Sequence, residues 1–149
     1  MGQLAPNHCR LVLSASADKT TGVWDAHTGK RKNKFVGHES YVNSVSAARK
    51  SNQLFASGSD DACAKLWDIR AAQCTTHLQH NFEVTAVALN EDRNELFTGS
   101  LDNEIRLFDL RNPMEPMYKL SGHTDTITCL RLDPFGSYLL SNSFDSAGM

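Results

Sequence analysis

Much of what would announce a chemistry is missing from this chain of 149 residues. Cysteine occurs four times, at Cys9, Cys63, Cys74 and Cys129, with no paired CxxC spacing for zinc or redox work. Free thiols in a reducing compartment are the expectation, and no N-x-Ser/Thr acceptor argues otherwise. No apolar run approaches the roughly 20 residues that span a bilayer. The opening MGQLAPNHCR lacks a basic segment followed by an apolar stretch, so no signal peptide is expected, and Pro6 stands where myristoylation needs Ser or Thr. Neither sign of charge dominates: fifteen Lys+Arg against seventeen Asp+Glu give a net charge of −2, which argues against a dedicated nucleic-acid or membrane binder. The one basic run, Lys30-Arg31-Lys32 with Lys34, reads as a solvated strand face. No glycine-rich loop precedes a helix, so no phosphate cradle is expected. His8, His27 and His77 are scattered and read as exposed positions rather than metal ligands.

What is present is a repeat. SASADKTTGVWD (14–25), SGSDDACAKLWD (57–68), TGSLDNEIRLFD (98–109) and SNSFDSAGM (141–149) superimpose. The aspartate recurs at Asp18, Asp61, Asp102 and Asp145, at steps of 43, 41 and 43. Histidines keep the same register at His38, His80 and His123, and units close on Trp24-Asp25, Trp67-Asp68 and Phe108-Asp109. Inside each unit apolar residues alternate with polar ones, the mark of half-buried strands. Val42, Val45 and Ala47 fall on one strand, Leu54 to Ala56 open a second, and Ala64 to Trp67 form a third after a turn at Asp60-Asp61-Ala62. Stretches such as Lys32–Phe35 and Met117–Leu120 supply a fourth, outer strand. Four short antiparallel strands in each unit of about 40–45 residues make an all-β propeller blade.

These residues resemble the WD-repeat β-propellers, and the resemblance runs from about Leu11 to Asp145. It implies a hydrogen-bonded tetrad inside each blade: His38, Ser57, Asp61 and Trp67 in one; His80, Thr98, Asp102 and Phe108 in the next; His123, Ser141 and Asp145 in the last; and Ser14, Asp18 and Trp24 in the first. A Ser-His-Asp trio would otherwise suggest a hydrolase, but a catalytic triad occurs once and beside an oxyanion site. A trio that recurs in register is scaffold, so no enzyme, catalytic residue, metal or cofactor is expected. The pattern breaks in places. Gln79 replaces the glycine that precedes histidine in the other units, and Phe108 replaces tryptophan, which removes an N–H donor from Thr98. Ala62 and Cys63 stand where a turn glycine and a β-former are usual, and Gly22 weakens its strand.

The expected organisation is an irregular segment 1–10, a partial blade 11–36, blades 37–78 and 79–121, and a partial blade 122–149. That is a partial WD-repeat propeller of two complete and two partial repeats, expected to be a fragment of a larger closed ring, since closure removes exposed edges. Assembly of several copies into one ring is the alternative. The resemblance places partner contacts on the loops at one end: Glu39, Tyr41, Asp60, Phe82, Glu83, Leu101, Asp125 and Phe144. For Tyr41, Phe82, Leu101 and Phe144 the alternative is packing against the neighbouring loop. Within the family, SASADKTTGVWD followed by HTGK, GHESYVNSV, DNEIRLFDLR and GSYLLSNSFD resemble the branch that serves in the spliceosomal U5 small nuclear ribonucleoprotein. This implies a nuclear, non-catalytic scaffold for splicing proteins, with no direct nucleic-acid contact, membrane or small-molecule substrate; a cytosolic location is kept open. A second implication comes from Trp67-Asp68-Ile69-Arg70 and Phe108-Asp109-Leu110-Arg111, which resemble the W-D-x-R stretches of substrate receptors of cullin-type ubiquitin ligases.

Overall fold

Period-two alternation requires each strand to bury one face, and the molecule does so by standing small sheets against one another. The structure is a computed structural model that describes residues 2–4, 11–51 and 53–145, with side chains from residue 11 onward. Every regular element among the described residues is a strand. The first sheet takes the order β1 (Gly2–Leu4), β2 (Leu11–Ala15), β3 (Thr20–Asp25), β4 (Arg31–Val36). The second is β5 (Val42–Ala47), β6 (Leu54–Ser59), β7 (Cys63–Asp68), β8 (Gln73–Gln79), and the third β9 (Val84–Asn90), β10 (Glu95–Ser100), β11 (Ile105–Asp109), β12 (Tyr118–Leu120). A two-stranded sheet follows, β13 (Ile127–Leu132) with β14 (Leu139–Ser143). All pairings are antiparallel and consecutive. This is the partial β-propeller architecture, with β5, β9 and β13 on the inside of their blades.

One boundary differs from expectation. The segment 1–10 was expected to be irregular, yet Gly2–Leu4 pairs antiparallel with β2, Gly2 opposite Ser14 and Leu4 opposite Val12. The first blade therefore has a short innermost strand as well. The reason is the edge that Leu11–Ala15 would otherwise expose, whose backbone groups are met by three residues of any composition. His8 and Cys9 lie outside the described residues, as do 146–149; Cys63, Cys74 and Cys129 are free thiols, with Cys63 buried.

Apolar side chains collect in the seams between blades. Leu13, Val23 and Phe35 of the first blade meet Val45, Phe55 and Trp67 of the second. There Phe35 packs edge-on against Phe55 (5.1 Å between centroids) and Trp67 (5.5 Å), geometry that the aromatic quadrupole favours. Leu66 and Leu78 of the second blade pack with Val84, Val87, Leu89, Leu96 and Phe108 of the third. Ala86, Ala88 and Ile105 of the third meet Ile127 and Leu130 of the fourth. Polar stitches cross the middle seam: Val87 N–H donates to Ser44 Oγ (3.2 Å) and Leu89 N–H to Ser46 Oγ (3.0 Å).

Each seam also depends on a notch. A Cβ at Gly58 would lie 2.7 Å from Val84 Cγ1, and one at Gly99 would lie 2.6 Å from Ile127 Cγ2, so the missing side chain is where the next blade's first strand seats. The register places Gly58 opposite Ser44, Gly99 opposite Ala86 and Asn142 opposite Cys129, which makes Asn142 the fourth blade's equivalent. The first blade has Ala15 there, packed in its seam.

Candidate interaction surface

The β2–β3, β6–β7 and β10–β11 turns share one end of the blades with the loops that lead into β5, β9 and β13; this is the upper end. Each turn has a left-handed residue just after the repeat aspartate: Lys19 (φ 75°), Ala62 (φ 65°) and Asn103 (φ 69°). Only glycine adopts this region without cost, so Ala62 is strained where the sequence reading noted an absent glycine.

In the second blade the full tetrad forms. His38 Nδ1 lies 2.9 Å from Asp61 Oδ2, His38 Nε2 lies 2.6 Å from Ser57 Oγ, and Trp67 Nε1 donates to the same hydroxyl at 2.8 Å. The chain is satisfied in one direction: indole N–H to hydroxyl, hydroxyl to Nε2, Nδ1–H to carboxylate. Asp61 also accepts from Glu39 N–H (2.9 Å) and Cys63 N–H (2.9 Å), which fastens the loop to the turn. Burial lowers the His38 pKa despite its carboxylate partner, so the imidazole is neutral. For Asp61 burial pushes the pKa up, but the donors from Glu39, His38 and Cys63 outweigh it and hold the carboxyl below its ordinary value. The fourth blade repeats the arrangement: His123 Nδ1 to Asp145 Oδ2 at 3.0 Å, His123 Nε2 to Ser141 Oγ at 2.9 Å, and Thr124 N–H to Asp145 at 2.7 Å.

The third blade corrects the expectation. His80 Nε2 meets Thr98 Oγ1 at 2.8 Å, but its Nδ1 faces the Leu78 carbonyl at 3.2 Å and not Asp102. Asp102 is instead held by the Arg106 guanidinium and the Ser100 hydroxyl, and Glu104 joins at 3.0 Å from Arg106. Arg106 occupies the strand position that Lys65 holds in the second blade, and its planar fork captures the carboxylate. Lys65, by contrast, donates to the Gly37 carbonyl at 2.9 Å. Thr98 still has a partner in His80, so the missing indole leaves it hydrogen-bonded. Burial drives His80 down to about 4, with the nearby Arg106 adding to the effect. In the first blade Trp24 Nε1 donates to Ser14 Oγ at 2.8 Å, the Asp18 carboxylate accepts from Thr20 N–H (3.0 Å), and Asp18 N–H donates to Ser16 Oγ (3.2 Å).

Gln79 and Phe108 stand where the second blade has Gly37 and Trp67, and both line one groove of the third blade. A Cβ on Gly37 would lie 2.8 Å from Cη2 of Trp67, so the indole fills the space above that glycine. Gln79 carries a Cβ there, and the smaller Phe108 ring leaves room for it. The amide then donates to the His80 carbonyl (3.1 Å).

The upper end gathers the residues expected to meet partners. Backbone hydrogen bonds tie Asp60 N–H to Tyr41 O (2.9 Å), Leu101 N–H to Glu83 O (3.1 Å) and Phe144 N–H to Thr126 O (3.2 Å). Each loop is thereby pinned to its own blade's turn, three times in register. Tyr41, Phe82, Leu101 and Phe144 are 55%, 49%, 42% and 72% exposed, so none is buried under a neighbouring loop. Glu39 and Asp125 are exposed, while Asp60 and Glu83 are half-buried. Asn43, which sequence reasoning missed, donates to Asp60 Oδ1 (2.5 Å) and to the next blade's Val84 carbonyl (3.2 Å), holding two loops at a fixed spacing. An asparagine on an inner strand was the available signal, an amide able to serve two partners at once.

At the lower end the aspartates that close β3, β7 and β11 cap the following turns: Asp25 accepts from His27 N–H (2.8 Å), Asp68 from Arg70 N–H (2.9 Å), Asp109 from Arg111 N–H (2.9 Å). The donors lower the Asp25 and Asp109 pKa values. Arg111 Nε reaches Asp109 at 3.3 Å, so this arginine has a carboxylate in its own blade; Arg70 is exposed. His27 and His77 are exposed as expected. Among the described residues no group of three His, Cys, Asp or Glu is placed to hold a metal. Cys63 lies 3.4 Å from His77 Nε2, yet burial raises its thiol to about 11, which makes it a poor nucleophile.

Comparison with known proteins fits this geometry. Residues 3–141 match the β-propeller family described as nucleolar protein 10-like, N-terminal domain. The chain is similar to the U5 small nuclear ribonucleoprotein 40 kDa protein of Dictyostelium discoideum, at 41% identity over 75% of the chain and 32% of that protein. It is similar to the human protein of the same name at 43% identity, over 76% of the chain and 32% of the protein. The pre-mRNA-splicing factor cwf17 of Schizosaccharomyces pombe is 36% identical over 80% of the chain and 35% of its own length. The chain thus spans about a third of the length of each of these relatives.

Proposed function

This chain belongs to the WD-repeat β-propeller family described as nucleolar protein 10-like, N-terminal domain, and on that premise we propose that it is a non-catalytic scaffold of the spliceosomal U5 ribonucleoprotein. It acts in the nucleus, in pre-mRNA splicing, by holding proteins of that assembly. The observation that carries this reading is the threefold pinning of exposed loops at one end, Tyr41 to Asp60, Glu83 to Leu101 and Thr126 to Phe144, on blades whose Ser, His and Asp side chains are consumed inside the fold. A rigid row of exposed aromatic and aliphatic tips suits protein hot spots. The similarity to a U5 small nuclear ribonucleoprotein 40 kDa protein and to a pre-mRNA-splicing factor supports this choice of assembly. Among the described residues the Ser57, Thr98 and Ser141 hydroxyls are each paired with an imidazole, and this recurrence in register supports a scaffold role.

Immunoprecipitation of the endogenous protein from nuclear extract, probed for U5 RNA, tests the assignment. Co-precipitated U5 RNA supports it. Efficient capture of the protein without that RNA overturns it, and the ligase-receptor reading would then be tested with Arg70→Ala and Arg111→Ala.

A further inference from the structure

We infer that the upper end is a docking surface for a basic, arginine-rich segment of a partner protein. This rests on the scaffold reading above and names the chemistry of what the scaffold holds. The surface is the row of exposed Tyr41, Phe82, Leu101 and Phe144. Its partner is chosen by charge. The upper-end connections carry nine carboxylates and one ammonium, Lys19. Three of the nine flank the aromatic tips directly: Glu39 and Tyr41 share a loop, as do Phe82 and Glu83, and Asp125 immediately precedes Thr126, whose carbonyl holds Phe144. Some of the nine are used internally, Asp61 by His38 and Asp102 with Glu104 by Arg106. By contrast, no ion pair among the described residues involves Glu39, Asp60, Glu83 or Asp125.

The lower end differs. Its described connections hold six basic residues against four acidic ones. A chain whose net charge is only −2 therefore presents one negative end. That field attracts cations and repels a phosphate backbone, which sets aside RNA as the occupant. Among cationic side chains arginine fits best. Its guanidinium stacks on aromatic faces and forks onto carboxylates, and both partners alternate here along one surface. The pinned loops keep that surface preorganised, which reduces the ordering cost of binding an extended peptide.

The test is fluorescence anisotropy with the full chain and a fluorescein-labelled peptide of alternating arginine and glycine; a glutamate–glycine peptide serves as the counterpart. Saturable binding of the arginine peptide alone is expected, weakening as salt rises. Glu39→Lys with Glu83→Lys and Asp125→Lys should weaken it about tenfold or more. Tyr41→Ala with Phe82→Ala should weaken it about threefold or more while keeping the salt dependence. Arg70→Glu with Arg111→Glu, at the lower end, should not weaken it, which separates loss at the upper end from a general effect of charge reversal on folding. No saturable binding, equal binding of the glutamate peptide, or binding that survives the upper-end reversal would overturn the inference. Peptide binding without U5 RNA in the immunoprecipitate would sink the splicing assignment and leave this surface standing; the converse result would do the opposite.

Discussion

The exchange of Gly37 and Trp67 for Gln79 and Phe108 can be undone, and the outcome has a definite sign. Phe108→Trp alone places an indole where Gln79 keeps its Cβ, and the second blade shows the distance involved, 2.8 Å from that Cβ to Cη2. Overpacking of this kind costs about 1–3 kcal/mol. The new N–H can reach Thr98 and recovers about 1 kcal/mol, so the single change should destabilise by about 1 kcal/mol. Gln79→Gly alone loses the amide's hydrogen bonds to the His80 and Ala62 carbonyls and loosens the backbone, again about 1 kcal/mol. The double variant removes the clash and keeps the indole bond, and should lie within about 0.5 kcal/mol of the parent. The coupling is therefore about 2 kcal/mol and favourable. Urea unfolding of the four chains, followed by circular dichroism, measures it. Additive losses in the double variant would refute the claim that the two positions share one volume. Gly37→Ala supplies the converse, with a loss of about 1–3 kcal/mol in a blade that already has its tryptophan.

Two further predictions use the tetrads. Ser57→Ala strands the Trp67 N–H and the His38 Nε2 in a dry seam and should cost about 2–4 kcal/mol, whereas Ser14→Ala, beside a Trp24 that is 36% exposed, should cost about 1 kcal/mol or less because water replaces the hydroxyl; equal losses in urea would contradict the role assigned to burial. His80 is pushed from 6.5 to about 4 by burial, so the unfolded chain takes up the proton first as acid is added. Its contribution is whole above about pH 6.5 and is lost as the pH falls toward 4, about 3 kcal/mol at 1.36 kcal/mol per pH unit. His80→Gln should flatten that part of the stability profile, and curves that stay parallel between parent and variant would show that His80 does not carry it.

The tetrad of the second blade and the His-Ser-Asp trio of the fourth were legible in the sequence, because a buried chain of donors and acceptors admits few residue types and so repeats them visibly. Strand order was legible for a related reason: alternation marks each half-buried strand, and a polar turn separates it from the next. The innermost strand of the first blade was not legible. Gly2–Leu4 is too short to show a period, and its pairing satisfies the backbone of β2 rather than any side-chain pattern. Nor was the rearrangement in the third blade. Asp102 sits at the same step as its relatives, and whether it meets histidine or arginine depends on how far Arg106 reaches across the turn. The exposure of Tyr41, Phe82, Leu101 and Phe144 required coordinates as well, since loop residues of this kind alternate between surface and neighbour contacts in ways that no spacing encodes.

The notch at Gly58 and Gly99 gives the array an address system. Unit two admits the β-branched Val84 of unit three, and unit three admits Ile127 of unit four, each through a single absent side chain. Unit four carries Asn142 at that place, so its outer face presents an amide where units two and three present a notch. Shuffling the units, by moving the fourth ahead of the third, would set an amide against the methyl groups of Val84 and leave a hole opposite Ile127's usual seat. Repeats that look interchangeable along the sequence are therefore ordered like numbered staves, and a duplication that copied one unit in isolation would arrive with the wrong edge.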